Sequence, residues 1–69
     1  MNFGGKILGM RRKSGLSQAE VAQRMRAKNY EKYNQARVSR IESGKMEPRY
    51  TEALDLQEVI GAENLERVG

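Results

Sequence analysis

The sequence predicts an all-α domain of four to five short helices, and three observations carry that prediction. Apolar residues recur at three- and four-residue spacing in successive segments. No segment alternates apolar and polar residues as a half-buried strand would. Residues suited to starting and stopping helices stand between the segments. At 69 residues the chain has room for a single compact domain, 1–69, with a modest core.

Taken in order, Phe3, Ile7 and Met10, with Leu8 beside them, predict a first helix over about 3–14, closed by Gly15 in the left-handed conformation. Ser17-Gln18-Ala19-Glu20 has the form of a capping box and predicts a second helix over about 17–28. Val21, Ala22 and Met25 form its buried face, with Gln18, Gln23 and Arg24 in solvent. From Arg26 to Tyr33 no glycine or proline marks a turn. This stretch could extend the second helix by two turns or form an ordered loop pinned by Tyr30 and Tyr33, and extension of the helix is expected. Asn34 is an N-cap for a third helix over about 34–43, with Val38 and Ile41 inward and Ser43-Gly44 at its end. Pro48 suits the entry to a fourth helix over about 49–60, whose stripe is Tyr50, Ala53, Leu56 and Ile60. Gly61 is expected to close it, leaving a short fifth helix over about 63–68.

Composition excludes several function classes. With no cysteine and no histidine there is no disulfide framework, no thiolate site, and neither the commonest metal ligand nor the commonest general base. No metal and no cofactor are therefore expected. Ser14, Ser17, Ser39 and Ser43 have no base to activate them, and no carboxylate pair or phosphate-cradling glycine loop is present, so the chain is not expected to be an enzyme. No apolar run approaches the ~20 residues of a membrane span, and Met1 to Gly5 lacks the form of a signal peptide. A cytoplasmic protein, of a bacterium or phage-infected cell, is expected. The charge is uneven. Residues 1–50 hold twelve Lys and Arg against four acids, whereas residues 51–69 hold one Arg against five acids. A basic body with an acidic tail suggests a face for a polyanion and a separate task for the C-terminus.

Three strings then carry a resemblance: Gly15-Leu16-Ser17-Gln18-Ala19-Glu20-Val21-Ala22, Val38-Ser39-Arg40-Ile41-Glu42-Ser43-Gly44-Lys45, and the following Pro48, preceded by Ile7-x-x-Met10-Arg11. Together they resemble the lambda-repressor-like (Cro-type, XRE-type) helix-turn-helix family, over nearly the whole chain from Phe3 to Ala62. The resemblance implies a first motif helix crossing the DNA backbone and a second lying in the major groove, which at ~12 Å admits one helix. The departure is the turn between the motif helices, which is longer here than members usually have; the excess falls in 26–33.

Base-reading candidates are the residues at the N-terminal end of the third helix opposite Val38 and Ile41: Asn34, Gln35, Ala36 and Arg40, with Arg37 at the edge. The resemblance implies base contact at the positions of Gln35, Ala36 and Arg40. Gln35 suits adenine, Arg40 guanine and Ala36 a thymine methyl. Phosphate-binding candidates, which set register rather than sequence preference, are Gln18 at a helix N-terminus, Ser43, the Gly44 amide, Lys45 and Arg49. Lys28 and Lys32 of the insert join them, with Arg24 and Arg26 weighed beside them. In the resembled family the position of Gln18 also braces the reading helix, and the positions of Arg11 and Glu42 form a buried or half-buried structural ion pair. Phe3, Met10 and Met25 read as core.

The function these readings point to is sequence-specific binding of double-stranded DNA as a homodimer on a (pseudo)palindromic operator. The role would be that of a transcriptional regulator, a repressor of phage, plasmid or mobile-element type. The dimer surface expected is the acidic C-terminal segment through Ile60, Leu65 and Val68. The competing reading is an antitoxin-like or adaptor module whose main role is holding a protein partner through that same segment.

Overall fold

A computed structural model describes the backbone of residues 2–68 and the side chains of residues 2–61. Four helices follow one another: α1 Phe3–Ser14, α2 Gln18–Ala27, α3 Gln35–Glu42 and α4 Tyr50–Val68. The helix starts are set by side chains that accept orphan amides. Asn2 accepts from the Gly5 amide and Asn34 from the Arg37 amide. Ser17 and Glu20 complete a reciprocal capping box, at 3.0 and 2.8 Å.

The helix ends share one device. At the end of α1, Gly15 is left-handed (φ 74°) and the Gly15 and Leu16 amides return to Arg12 and Arg11. At the end of α3, Gly44 (φ 83°) does the same, with the Gly44 and Lys45 amides returning to Ile41 and Arg40. This is the Schellman pattern. The end of α2 is built identically but on Asn29, with φ 78°, its amide and that of Tyr30 returning to Arg26 and Met25. Asparagine tolerates the left-handed region where most side chains do not.

That stop corrects the reading of 26–33 as an extension of the second helix. The helix ends at Ala27, and the insert is the ordered loop pinned by its two tyrosines. Tyr33 is buried, Tyr30 packs edge-on against it with ring centroids 5.7 Å apart, and the Arg26 guanidinium donates to the Tyr33 carbonyl. A second correction concerns the C-terminus. Gly61 does not close a helix: α4 runs unbroken from Tyr50 to Val68, so there is no separate fifth helix.

The core gathers Ile7, Leu16, Val21, Ala22, Met25, Tyr33, Val38, Ile41, Leu56, Val59 and Ile60, with Phe3, Met10, Tyr30 and Met46 against it. α4 packs on α1 and α2, and α3 packs on the same two helices. At one point α1 and α3 come unusually close. A Cβ on Gly4 would stand 2.2 Å from the Ile41 carbonyl oxygen and 2.8 Å from that of Glu42. Only glycine fits there.

The buried stripe of α4 is Glu52, Leu56, Val59 and Ile60. Tyr50, expected to lead that stripe, is instead exposed, because its place on the inner face is taken by Glu52. Ile60 is fully buried in the core, which removes it from the expected dimer surface. Leu65 and Val68, the other two residues of that expectation, lie outside the described side chains. Among the described residues no helix is long and apolar enough to cross a membrane.

Candidate nucleic-acid interface

With Val38 and Ile41 turned inward, the helical period leaves Gln35, Ala36, Ser39 and Arg40 outward on α3, and all four are exposed. Gln18, at the first position of α2, stands beside them and is half-buried. By helix geometry the first amides of α2 lack acceptors within the helix, so this end favours an anion.

A chain of side chains joins the core to that surface. Arg11 on α1 grips Glu42 on α3 through Nε and Nη2, at 2.6 and 3.0 Å, and its Nη1 donates to the Leu16 carbonyl. Both side chains are largely withdrawn from water, 13% and 4% exposed. Glu42 Oε1 also accepts from Gln18 Nε2 at 3.0 Å, and Gln18 Oε1 accepts from Gln35 Nε2 at 3.3 Å. Glu42 thus takes three donors, which satisfies a charge that would otherwise be costly to bury. The Glu42 carboxylate holds the Arg11 guanidinium even more firmly protonated than usual.

The remaining candidates divide by what already occupies them. Arg40, Lys45, Arg49 and Lys32 are exposed and make no side-chain hydrogen bond or ion pair among the described residues. Arg37 is engaged elsewhere: its Nε and Nη2 hold Glu52 at 2.9 and 3.1 Å, and its guanidinium lies over the Tyr33 ring at 5.3 Å. It faces α4 rather than the outward side of α3, a correction to its placement among the base readers. The Asn34 carbonyl oxygen caps α3, leaving only its amide nitrogen to contact anything else. Ser43 donates its hydroxyl to the Arg40 carbonyl, and the Gly44 amide closes α3 on Ile41, so neither is an uncommitted donor. Lys28 points to α4, 3.2 Å from Glu58 and 3.9 Å from Asp55. Arg24 likewise reaches the Val59 carbonyl.

Two groups escaped the sequence reading. Ser39 sits at the middle of the outward face, and its spacing of three and four residues from Ala36 and Gln35 was the signal that could have found it. Glu52 is 4% exposed and accepts from Tyr33 Oη at 2.7 Å as well as from Arg37. Burial pushes Glu52 up, but the bonds from Arg37 and Tyr33 outweigh it and hold the carboxyl below its usual range. Burial, with Glu52 alongside, pushes the Tyr33 phenol up, so it remains a donor. A second bond of this kind runs from Tyr30 Oη to Asp55 at 2.5 Å. The insert is therefore stapled to α4 by two tyrosine–carboxylate bonds, and α3 to α4 by Arg37.

A family model described as a helix-turn-helix domain matches residues 3–68. No curated protein and no solved structure matches the chain.

Proposed function

Because the chain belongs to the helix-turn-helix domain family, a family of DNA-binding proteins, we propose that it binds double-stranded DNA sequence-specifically and regulates transcription. The mode is that of lambda-repressor-like proteins: α3 enters the major groove, and two copies address a (pseudo)palindromic operator. The regulatory role within this reading is that of a repressor of phage, plasmid or mobile-element type. The supporting observation is the outward face of α3. Gln35, Ala36, Ser39 and Arg40 stand exposed on one side of a helix whose other side is buried.

On this reading Arg40 and Gln35 contribute base specificity, each worth ~1–3 kcal/mol against a wrong base. Gln18, Lys45, Arg49 and Lys32 set the docking through phosphates, with Arg49 and Lys45 arriving from the loop between α3 and α4. Lys28, held by α4, contributes little. Selection of bound duplexes from a random pool tests the proposal. It should return a two-half-site sequence, with Arg40→Ala relaxing one position per half-site and Lys45→Ala weakening all duplexes evenly. Recovery of no preferred sequence, or of one indifferent to Arg40→Ala, would overturn it.

A further inference from the structure

We propose that a second copy of this chain packs along the outward stripe of α4, through Tyr50, Leu54, Gln57 and Gly61. The choice of a second copy as occupant rests on the two-half-site reading above and on the fit of the stripe to itself. Positions 50, 54, 57 and 61 follow one another at steps of four and three residues, so they share one side of a helix that runs from Tyr50 to Val68. That side lies opposite the buried Glu52, Leu56, Val59 and Ile60. Tyr50 and Leu54, at 78% and 47%, are the large apolar residues that the described fold leaves exposed.

Gly61 is the second observation. Glycine is the poorest helix former after proline, yet Gly61 stands inside α4 with no left-handed backbone to require it. A Cβ there would meet no described atom within 4 Å. Nothing in the described fold asks for glycine, whereas a second helix passing closely would. With two antiparallel α4 helices related by a two-fold axis near Gln57, Leu54 of each copy falls opposite Gly61 of the other. The two Gln57 side chains meet at the axis, each able to donate and accept; at present Gln57 Nε2 makes only a long bond, 3.4 Å, to the Ala53 carbonyl. Such an isologous contact uses one patch twice. None of the four positions is charged, which suits two chains of net charge +4. The seam lies on the far side of α4 from the core, so pairing there covers neither α3 nor Gln18.

Sedimentation equilibrium of the full chain, free and with duplex DNA, tests this. The wild type should dimerise at concentrations of about 100 μM or below, a range that reveals even weak pairing. Leu54→Glu and Gly61→Leu should each raise the dimer dissociation constant by about tenfold or more, and circular dichroism should show both still helical. On a palindromic duplex the wild type should load two copies cooperatively. Leu54→Glu should lose that cooperativity while binding a single half-site as the wild type does. A wild type that stays monomeric both free and on DNA, whether or not another protein captures it, overturns the proposal. So does a dimer whose constant neither substitution moves. A dimer that both substitutions disrupt but that binds no duplex would instead sink the operator reading and leave this interface standing.

Discussion

Replacing Glu52 with alanine removes the acceptor on which the insert and α3 converge, and its cost can be worked from the contacts. Tyr33 is 4% exposed, so its hydroxyl loses the buried acceptor it meets at 2.7 Å, a loss of ~1–3 kcal/mol. Arg37 is 38% exposed and can turn to solvent, so its two bonds add no more than ~1 kcal/mol. The sum, about 1–4 kcal/mol, is a large share of what so small a domain has. At ~4–8 °C per kcal/mol it should lower the melting temperature by roughly 4–32 °C. Glu52→Gln keeps an acceptor for Tyr33 and should cost about half as much. Urea unfolding followed by circular dichroism measures each value. A double-mutant cycle with Tyr33→Phe should return a coupling of ~1 kcal/mol or more. The acid limb gives an independent check. Glu52 titrates below its unfolded value of 4.5, so its stabilisation is complete above that value and is lost as pH falls through the depressed one. Glu52→Gln should therefore flatten the stability profile below about pH 5. If Glu52→Ala unfolds within ~0.5 kcal/mol of wild type, as ordinary surface changes do, the account of the insert as a stapled loop is wrong.

Three further outcomes follow from the packing. Gly4→Ala drives a methyl into the Ile41 carbonyl and should cost at least ~1–3 kcal/mol, read as a fall in the thermal midpoint. Asn29→Gly should raise stability by a few tenths to ~1 kcal/mol, because the left-handed residue that ends α2 loses its Cβ penalty, while Asn29→Val should lower it; equal midpoints would contradict the Schellman ending. Arg11→Met leaves Glu42 buried and half-partnered and should cost ~3–5 kcal/mol, whereas Arg11→Met with Glu42→Leu should recover most of that.

Much of this architecture could be read from residue order because the punctuation is local. Ser17 with Glu20, Asn34, Gly15 and Gly44 act through amides within a few residues of themselves, so their effect is visible in the string. The ending of α2 was hidden because an asparagine does there what glycine does at the other two ends. The burial of Glu52 was hidden for a different reason. A carboxylate on an inner face makes sense only once Tyr33 and Arg37, distant in sequence, are known to meet it. The same blindness placed Tyr50 in the core and Arg37 among the reading residues. Gly61 looked like a helix end because glycine usually is one; the stretch beyond it has no competing stop before Val68. The outward placement of Gln35, Ala36 and Arg40 needed only the period of the helix.

The run from Arg11 through Glu42 and Gln18 to Gln35 has a direction. A carboxylate has no proton to give, so Gln18 must turn its nitrogen toward Glu42 and its oxygen toward Gln35. Gln35 must then answer with its own nitrogen, which leaves its oxygen as the uncommitted end. Neither amide can turn over without leaving two acceptors, or two donors, face to face. The polarity of an exposed side chain is thus decided one helix away, by a buried ion pair that need never meet whatever Gln35 touches. An amide in place of the Glu42 carboxylate would preserve the shape of the run and erase its direction, letting Gln35 present either end.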